Sequence, residues 1–363
     1  MPKRLLILSI KPVFTLSIVR TAVLAGYRAY VASDQGWGLD RLSVHAQRRL
    51  LLPREALVNG TPEALGRINE FIERHRIDLV LAADTLCTRM LAIHGNAIRG
   101  AAVFPMPSPE VFDQLNDKWS FSQLLVAHGI STPRSHLVAS PDEVDRLELE
   151  YPVMVKPPIG EDGRGVRRVG DRNALRRDIE RSASEATLPL IVQQFIPGPD
   201  IDLDLLADGG ELVSWLVQQR EGSGMRFLDD DRVVALGRAM CRAADYRGVG
   251  HVDMRIDERT DEVVVIEFNP RFWGSLGFAS WMGVNFVEGG ASLLGTNRPA
   301  FSPQSGYCPW LGSTPATVAH WLGRGLRGPG ATAAQQRGWS MQVRDPLPEW
   351  WNWAVGLLGR RRS

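Results

Sequence analysis

The sequence predicts an α/β protein in which an open parallel α/β domain precedes an α+β core. Two patterns lead to this prediction. Over roughly the first 115 residues, short apolar runs alternate with helical patterns, which is typical of a parallel sheet covered by helices. From Val153 onward, short strands are joined by tight turns. A chain of 363 residues also exceeds what one hydrophobic core usually organises, so more than one domain is expected.

The first domain is predicted from local patterns. LLILSI at 5–10 is a short apolar run typical of a buried strand, and the helical pattern that follows it ends at Gly26. Further strands are predicted at 27–32 and 78–82, and a helix begins at Ser108 after proline punctuation. No G-x-G-x-x-G sequence follows the first strand, so a dinucleotide site is not expected there.

The core is predicted to begin with a single helix over 116–129. Asn116 would be its N-terminal cap and Gly129 its end. Two more helices are predicted near 171–184 and 230–244, between the short strands. The segment 297–345 is rich in Gly, Pro, Ser and Thr and is weakly patterned.

Composition excludes several classes of protein. A net charge of +1 gives no basic footprint for nucleic acid. Cys87, Cys241 and Cys308 lie far apart and form neither a metal-type spacing nor a disulfide framework, which fits a reducing cytoplasm. Lys11 and Pro12 cut the N-terminal apolar run too short for a signal peptide, and no stretch approaches transmembrane length. The sequence therefore predicts a cytoplasmic protein.

Lysine is rare in this chain and its positions are informative. It occurs only at Lys3, Lys11, Lys118 and Lys156, and every other basic residue is arginine. Lysine is a compact point charge that can reach a phosphate oxygen in a crowded site, whereas arginine is a planar fork. The two lysines near the start are interpreted as ordinary. Lys156 is different, because it ends the strand VMVK and precedes a glycine-rich loop.

That loop, PPIGEDGRGV, carries Gly160, Gly163 and Gly165. Glycines let backbone N–H groups turn toward an anion and approach it closely. Because the loop joins two strands and opens no helix, it is not a Walker A motif. Taken alone, three such glycines more often mark a hairpin turn, but beside Lys156 they indicate a phosphate loop.

A hairpin is predicted over 250–275. Its two strands carry apolar residues at alternate positions, namely Val252, Met254 and Ile256, then Val264, Ile266 and Phe268. With a turn near Thr260, Asp253 and Glu267 would lie opposite each other, with Asn269 on the same face. Directly opposed residues place their Cβ atoms ~4.5–5.5 Å apart, so the two carboxylates could share a Mg²⁺ ion.

Two alternatives remain open for these acidic residues. Asp253 could instead pair with Arg255 or Arg271 in a solvated network. Before the hairpin, an apolar strand reaches the stiff break Pro197-Gly198-Pro199, and acidic residues then alternate with apolar ones at 200–205. The break is interpreted as a hinge between two lobes, and its alternative is a plain exposed acidic strand.

The order of these features, from about Asn116 to about Phe286, resembles the ATP-grasp superfamily, specifically its carboxylate–amine and carbamoyl-phosphate-synthase-like ligases. The motifs that carry the resemblance are NDKWSFSQLLVAHG, VMVKPPIGEDGRGV, QQFIPGPD, HVDMRID and IEFNPR. The resemblance implies a preceding α/β domain at 1–115, ATP-grasp subdomains at 116–190 and 191–297, and a C-terminal extension at 298–363. It also implies ATP and Mg²⁺ or Mn²⁺ as cofactors.

The resemblance assigns roles to individual residues. The nucleotide would be bound by Lys118, Lys156, Gly163, Arg164, Gly165, Gln193, Gln194, Ile196 and Asp200. The metal would be bound by Asp253, Glu267 and Asn269, and Arg271 would face the transferred phosphoryl group. Two departures stand out: the hinge has Gln193-Gln194 where the family often has glutamate, and His251 stands where the dipeptide ligases have arginine.

The resemblance implies a ligase that joins a carboxylate to an amine through an acyl phosphate, releasing ADP and phosphate. Arg220 is a candidate for holding the substrate carboxylate, and an ordinary surface arginine is its alternative. Residues 9–17 and 272–285 are predicted to line the substrate pocket, and their aromatic content favours an apolar or ring-bearing substrate. Other ATP-grasp chemistry, such as carboxylation or phosphorylation, and a silent ATP-binding sensor remain alternatives.

The predicted partners are small molecules, with a homodimer as a further possibility. The C-terminal sequence EWWNWAVGLLGRRRS places Trp350, Trp351 and Trp353 before three arginines. This pattern is compatible with weak contact with an anionic membrane surface. The alternative is a terminal helix that packs its aromatic residues on the core.

Overall fold

The fold is described from a computed structural model. It describes residues 2–36, 41–222, 224–295 and 305–308, together with short stretches at 337–338, 340–341, 344–348 and 350–351. Most of the predicted C-terminal extension, including Trp353 and the terminal arginines, lies outside the described residues. Among the residues that are described, no helix has the length and apolar character needed to cross a membrane.

A five-stranded parallel sheet forms the N-terminal part. Its strands are β1 (Arg4–Ser9), β2 (Arg28–Ser33), β3 (Ala46–Leu51), β4 (Leu79–Ala82) and β5 (Ala102–Val103), in the spatial order β3-β2-β1-β4-β5. Its helices are α1 (Pro12–Leu24), α2 (Arg54–Asn59), α3 (Pro62–His75) and α4 (Thr85–His94). This arrangement confirms the predicted open parallel α/β fold.

Two helices lead into a four-stranded antiparallel sheet. The helices are α5 (Pro109–Asn116) and α6 (Lys118–Ala127), and the strands are β6 (Ser135–Val138), β7 (Val153–Lys156), β8 (Arg167–Val169) and β9 (Leu190–Gln194). The order is β6-β9-β7-β8, and α7 (Arg172–Ser184) covers it. The core of this sheet includes Val153, Val155 and Leu175.

A six-stranded antiparallel sheet follows. Its strands are β10 (Asp200–Asp208), β11 (Glu211–Glu221), β12 (Gly224–Leu228), β13 (Gly248–Ile256), β14 (Val263–Asn269) and β15 (Gly306–Cys308), in the order β14-β13-β10-β11-β12-β15. Its helices are α8 (Asp231–Ala243), α9 (Leu276–Trp281) and α10 (Phe286–Ser292). Antiparallel sheets after a parallel one confirm the predicted α/β fold with an α+β core.

One hydrophobic core joins the first and last sheets. Ile18 and Val19 of α1 belong to the same buried cluster as Phe278 of α9 and Phe286 of α10. Leu206 of β10 also belongs to it, so the cluster reaches the six-stranded sheet. The apolar area removed from water here fixes the N-terminal sheet against the sheet that carries the hairpin.

Two predictions about local structure are wrong in detail. Asn116 does not cap the helix of the core, because it is the last residue of α5, and Asp117 caps α6 by accepting the N–H of Ser120 at 2.7 Å. In the hairpin, the register shifts between Asp253 and Met254. The core set of β14 is therefore Val263, Val265 and Phe268 in place of Val264, Ile266 and Phe268.

Candidate active site

The candidate site is a cavity of about 610 Å³ over one face of the six-stranded sheet. Residues of the hairpin, the glycine loop and the N-terminal part contribute to its wall. The lining residues are Phe14, Asp162, Gly163, Asp202, Gln218, Arg220, Met225, His251, Asp253, Glu267, Asn269, Arg271, Trp273, Gly274, Ser275 and Phe278. The two segments expected to line a substrate pocket, 9–17 and 272–285, both supply residues to this wall.

The hairpin places the predicted metal residues together. Asp253 pairs with Glu267 in the strand register, as predicted, and His251 pairs with Asn269. The Asn269 amide donates from Nδ2 to Asp253 Oδ2 at 2.8 Å, and its Oδ1 accepts from Arg271 Nη2 at 3.0 Å. Burial raises the pKa of Glu267. Asp253 thus contacts its neighbours Asn269 and His251, and the alternative pairing with Arg255 is absent because Arg255 contacts Asp200 at 3.0 Å.

The two core lysines lie beside this group. Lys118, the first residue of α6, donates to the Gly160 carbonyl at 2.7 Å and lies 3.2 Å from Glu267 Oε1. Lys156, the last residue of β7, is 4% exposed, and burial lowers its pKa to about 8. Within the described residues, no hydrogen bond or ion pair reaches the Lys156 ammonium. A buried cation without a partner is costly, so this site is suited to an anion.

The glycine loop lies over the cavity. Gly163 and Gly165 adopt φ values of +68° and +76°. Residues that carry a Cβ atom rarely adopt this backbone conformation. Gly163 lines the main cavity, whereas Arg164 and Gly165 line a second cavity of about 790 Å³. Arg164 is exposed, and its N–H donates to the Glu161 carbonyl at 3.1 Å.

Glu161 attaches this loop to the N-terminal domain. Its carboxylate contacts the Lys11 ammonium and the Thr85 hydroxyl, and it lies 3.9 Å from Arg271 Nε. Burial opposes ionisation, but these donors and cations together lower the pKa of Glu161. Lys11 also lies 3.1 Å from Asp162. The interpretation of Lys11 as an ordinary N-terminal lysine is therefore wrong, because Lys11 is a contact of the loop.

The hinge residues have mixed environments. Gln193 is buried and donates to Ser135 at 2.9 Å, and the Gln194 N–H donates to the Arg134 carbonyl at 2.8 Å. Within the described residues, Ile196 is buried and its peptide groups make no backbone hydrogen bond. Asp200 is largely exposed and pairs with Arg255.

Arg271 is held in place from several directions. It is 7% exposed and donates to Thr85 Oγ1 at 3.0 Å and to the Phe272 carbonyl at 2.9 Å. Its guanidinium lies 5.0 Å from the centre of the Phe14 ring. Arg271 therefore presents a fixed positive charge beside the Asp253–Asn269 pair. Planar cations held this way suit the stabilisation of a transferred phosphoryl group.

The far end of the cavity has a different character. Arg220 is exposed there, and no ion pair to its guanidinium occurs in the described part of the chain. Gln218 is 1% exposed, donates to Ser275 at 2.9 Å, and has no partner for its Oε1. Phe278 and Met225 supply apolar surface. This end can bind a carboxylate and an adjoining apolar group.

Three cavity or near-cavity groups were not predicted as site residues. Asp202 and His251 form, with Asp253, a cluster whose nearest ligand atoms all lie within 4.8 Å of one another. Behind them, the Oδ1 of the fully buried Asp204 lies 2.8 Å from His251 Nδ1. Burial raises the pKa of Asp202 to about 7. The strand register is the signal that would have found them, because Asp202 pairs with Asp253 and Asp204 with His251.

The residues fit a nucleotide phosphate with a hard cation. Asp253, Glu267 and Asn269 offer carboxylate and amide oxygens, which Mg²⁺ prefers, and the cavity leaves room for phosphate oxygens as further ligands. The unpartnered ammonium of Lys156 and the glycine loop supply donors for the phosphates.

Comparison with known proteins agrees with this geometry. A family profile described as "ATP-grasp in the biosynthetic pathway with Ter operon" matches residues 186–306, which contain the hinge and the hairpin. Residues 186–306 therefore match an ATP-grasp domain. A relative of the chain is the carbamoyl phosphate synthase large chain, C-terminal section, of Methanopyrus kandleri, which is 28% identical over 223 residues. That match covers 55% of this chain and 41% of the relative.

Solved structures share the fold of this chain. The L-amino acid ligase from Bacillus licheniformis has a TM-score of 0.62 at 20% identity, covering 82% of this chain and 75% of that one. The biotin carboxylase domain of the Hydrogenobacter thermophilus 2-oxoglutarate carboxylase, in complex with MgADP, ADP and bicarbonate, has a TM-score of 0.66 at 17% identity. It covers 85% of this chain and 73% of that domain. At these identities the likeness shows the fold alone.

Proposed function

We propose that this chain is an ATP-dependent ligase that joins a carboxylate to an amine and releases ADP and phosphate. The observation that carries the proposal is the continuity of one cavity. Asp253, Glu267 and Asn269 lie at one end, Arg220 and Gln218 at the other, and Arg271 lines the same cavity. A nucleotide phosphate and a carboxylate bound in this cavity would be close enough to react.

Each residue has a role in the proposed reaction. Lys118 and Lys156 bind phosphate oxygens, and Ile196 with its hinge neighbours Gln193 and Gln194 holds the adenine. Asp200 binds the ribose, provided that Arg255 releases it. Bound Mg²⁺, or Mn²⁺, supplies charge neutralisation and alignment of the phosphates.

The substrate carboxylate, held by Arg220, attacks the γ-phosphorus of ATP, and the bond to the β-phosphate oxygen breaks to give ADP. Arg271 neutralises the charge on the transferred group. The amine then attacks the acyl carbon of the resulting acyl phosphate and expels inorganic phosphate. The loop carrying Gly163, Arg164 and Gly165 excludes water, since an acyl phosphate exposed to water would hydrolyse.

The wider assignments belong to the same proposal. We place the boundaries of the functional units at 1–115, 116–190, 191–297 and 298–363, and the protein in the cytoplasm, with small molecules as substrates. A homodimer is consistent with the biotin carboxylase domain dimer named among the similar structures. Contact with a membrane surface through the C-terminal segment stays a sequence prediction, with Trp351 exposed and most of the segment undescribed.

The test is release of ADP and phosphate from Mg-ATP with pools of carboxylates, with and without pooled amines. We expect release that needs both pools, is lost in Glu267→Gln and is kept in the surface control Glu148→Gln. Arg220→Gln should raise the KM for the carboxylate at least tenfold and leave the Kd for ATP unchanged.

Other outcomes would change the assignment. Turnover with bicarbonate and no amine requirement would favour carboxylation, which the similar carboxylase structures make the second candidate. Turnover with a single acceptor and a stable phosphorylated product would indicate a kinase. ATP binding without turnover above that of Glu267→Gln would refute catalysis and favour a sensor.

A further inference from the structure

A row of polar side chains crosses four adjacent strands on the cavity face. Glu267 of β14 pairs with Asp253 of β13, Asp253 pairs with Asp202 of β10, and Asp202 pairs with Gln218 of β11. All four residues line the same cavity. The proposed Mg-ATP site uses only the first two, so Asp202 and Gln218 extend the row beyond it.

His251 lies beside this row and its ring has a fixed orientation. Its Nδ1 lies 2.8 Å from Asp204 Oδ1, and its ring stacks on Trp273 with an angle of 18° between the planes. A carboxylate only accepts hydrogen bonds, so Nδ1 carries the proton that Asp204 binds. The other ring nitrogen, Nε2, therefore faces the row and lies 3.4 Å from Asp253 Oδ1. Carboxylate groups hold metal-binding histidines in this way.

Arg271 offsets the charge of Asp253, but within the described residues neither Asp202 nor Asp204 forms an ion pair with a lysine or an arginine. Asp202, Asp204 and Asp253 surround the single imidazole of His251. In the part of the chain that the structure describes, no hydrogen bond or ion pair reaches the Asp202 carboxylate. Like charges opposed across a sheet repel, so a cation bound between Asp202 and Asp253 would remove a repulsion.

Gln218 gives an independent sign of a ligand. It is 1% exposed, its amide nitrogen is fixed by Ser275, and its Oε1 has no hydrogen-bond partner. Buried amide oxygens normally have partners, so this atom is expected to contact a bound group. It lies opposite Asp202 in the register and lines the cavity.

We propose that Asp202, His251 and Asp253 form a second cation site, distinct from the Mg-ATP site, that binds a divalent metal of the Mn²⁺, Co²⁺ or Zn²⁺ class. The ligands are the two carboxylates and His251 Nε2, and the Gln218 amide oxygen is the neighbouring acceptor. One imidazole nitrogen with carboxylate oxygens suits these metals better than Mg²⁺ or Ca²⁺. Asp253 is shared with the Mg-ATP site, as a bridging carboxylate is in two-metal sites.

The position of this site gives it a role beyond ATP binding. It lies between the proposed Mg²⁺ ligands and the end of the cavity that contains Arg220 and Ser275. Three protein ligands leave coordination positions open toward that end. The metal would bind an oxygen or nitrogen atom of the second substrate there, which is a requirement that the proposed ligase reaction does not itself impose.

The test is Mn²⁺ binding to the full chain without nucleotide, followed by electron spin echo envelope modulation. His251 is the one histidine among the cavity-lining residues described, so ¹⁴N modulation of bound Mn²⁺ reports this site. We expect the modulation in the wild type and in the control His128→Gln, whose histidine is exposed. It should vanish in His251→Gln, and Asp202→Asn should weaken the binding of this Mn²⁺ at least tenfold.

The two variants guard against a folding artefact. If His251→Gln is misfolded by circular dichroism, Asp202→Asn decides, because it leaves the His251–Asp204 contact intact. Absence of ¹⁴N modulation in the wild type, or unchanged Mn²⁺ affinity in Asp202→Asn, would overturn the proposal. The measurement needs no substrate, so loss of the ligase assignment would leave this result standing, and Glu267→Gln should retain the ¹⁴N signal.

Discussion

At the scale of single residues, the site depends on charges buried before any ligand arrives. Lys156 is the clearest case, because its ammonium is buried without an ion pair in the described residues and its pKa falls to about 8. Such a group lowers the stability of the protein without ligand, and this loss is offset when an anion binds beside it. Charged residues that are buried to bind a ligand are therefore expected to lower the free energy of unfolding of the ligand-free protein.

Replacing Lys156 tests this cost. Between pH 8 and 10.5 the unfolded chain holds more protons on this group than the folded chain does, so the free energy of unfolding rises with pH. The contribution is at most about 3 kcal/mol. We expect Lys156→Met to be more stable than the wild type at pH 7, to lose this part of the pH dependence, and to bind ATP at least tenfold more weakly.

The measurement is urea unfolding at several pH values for the wild type, Lys156→Met and Lys3→Met. Lys3 is exposed, so its replacement should leave both the pH dependence and ATP binding unchanged. Other groups titrate in the same pH range, but they contribute equally to the unfolding free energies of Lys156→Met and Lys3→Met. The difference between the two variants therefore reports Lys156 alone. Parallel pH curves for the wild type and Lys156→Met would contradict the argument.

How much of the site was predictable depended on whether a residue's role is local. The Asp253–Glu267 pairing could be predicted from hairpin register, and the glycine loop after the strand that ends at Lys156 could be predicted from neighbours in sequence, whereas their ligand roles stay predictions. Lys11 could not, since its partner Glu161 is far away in the chain and a single lysine carries no pattern. From the sequence, His251 could be recognised only as a departure from the family motif. Its contact with Asp204 could not be predicted, because Asp204 lies on a different strand.

At the scale of elements, apolar patterns predicted the buried strands and helices. They did not predict strands whose residues are only partly buried. β1 and β4 are buried along nearly their whole length and were predicted. β3 is an edge strand with no fully buried residue, so it has no continuous apolar run to detect. The shift in β14 was also hidden, because a bulge changes which face each later residue occupies.

The glycine loop is the element on which exclusion of water depends. Residues 157–166 join β7 to β8, and Glu161 ties them to Lys11 and Thr85 of the N-terminal domain. These contacts cross between parts of the chain that are distant in sequence, so they hold the loop over the cavity. Loss of the Glu161 charge should release it.

We expect Glu161→Gln to raise hydrogen–deuterium exchange at the Arg164 and Val166 amides several-fold. Both amides are bonded only within the loop, to the carbonyls of Glu161 and Gly163. The measurement is exchange followed by mass spectrometry, with Glu185→Gln, at the exposed residue that follows α7, as the control. Unchanged exchange in the loop, with β7 also unchanged, would show that Glu161 does not hold it.

At the scale of the whole molecule, the cavity exists because distant parts of the chain are fixed to one another. Phe14 of α1 and Phe278 of α9 both line it, and the core that joins α1 to α9 and α10 holds the two sides together. Described residues near the C-terminus add to this connection. Asp345 is fully buried and contacts both α1 and the segment before β3.

Asp345 therefore tests whether the C-terminal residues support the site from a distance. Its carboxylate accepts from Arg20 Nε at 3.2 Å, Ser43 Oγ at 2.7 Å and the Val44 N–H at 2.9 Å. Removing one partner of a buried ion pair costs about 3–5 kcal/mol, because the remaining groups lose their acceptor. We expect Asp345→Ala to lower the free energy of unfolding by this amount, and Asp345→Asn by less.

The measurement is urea unfolding followed by circular dichroism and by tryptophan fluorescence, with the exposed Glu148→Ala as the control. Because one buried cluster joins α1 to α9 and α10, both probes should report a single transition at the lower denaturant concentration. Two separate transitions in Asp345→Ala would mean that the N-terminal sheet unfolds independently. The cavity wall would then depend on contacts beyond the shared core, and the argument that this core positions Phe14 against α9 would fail.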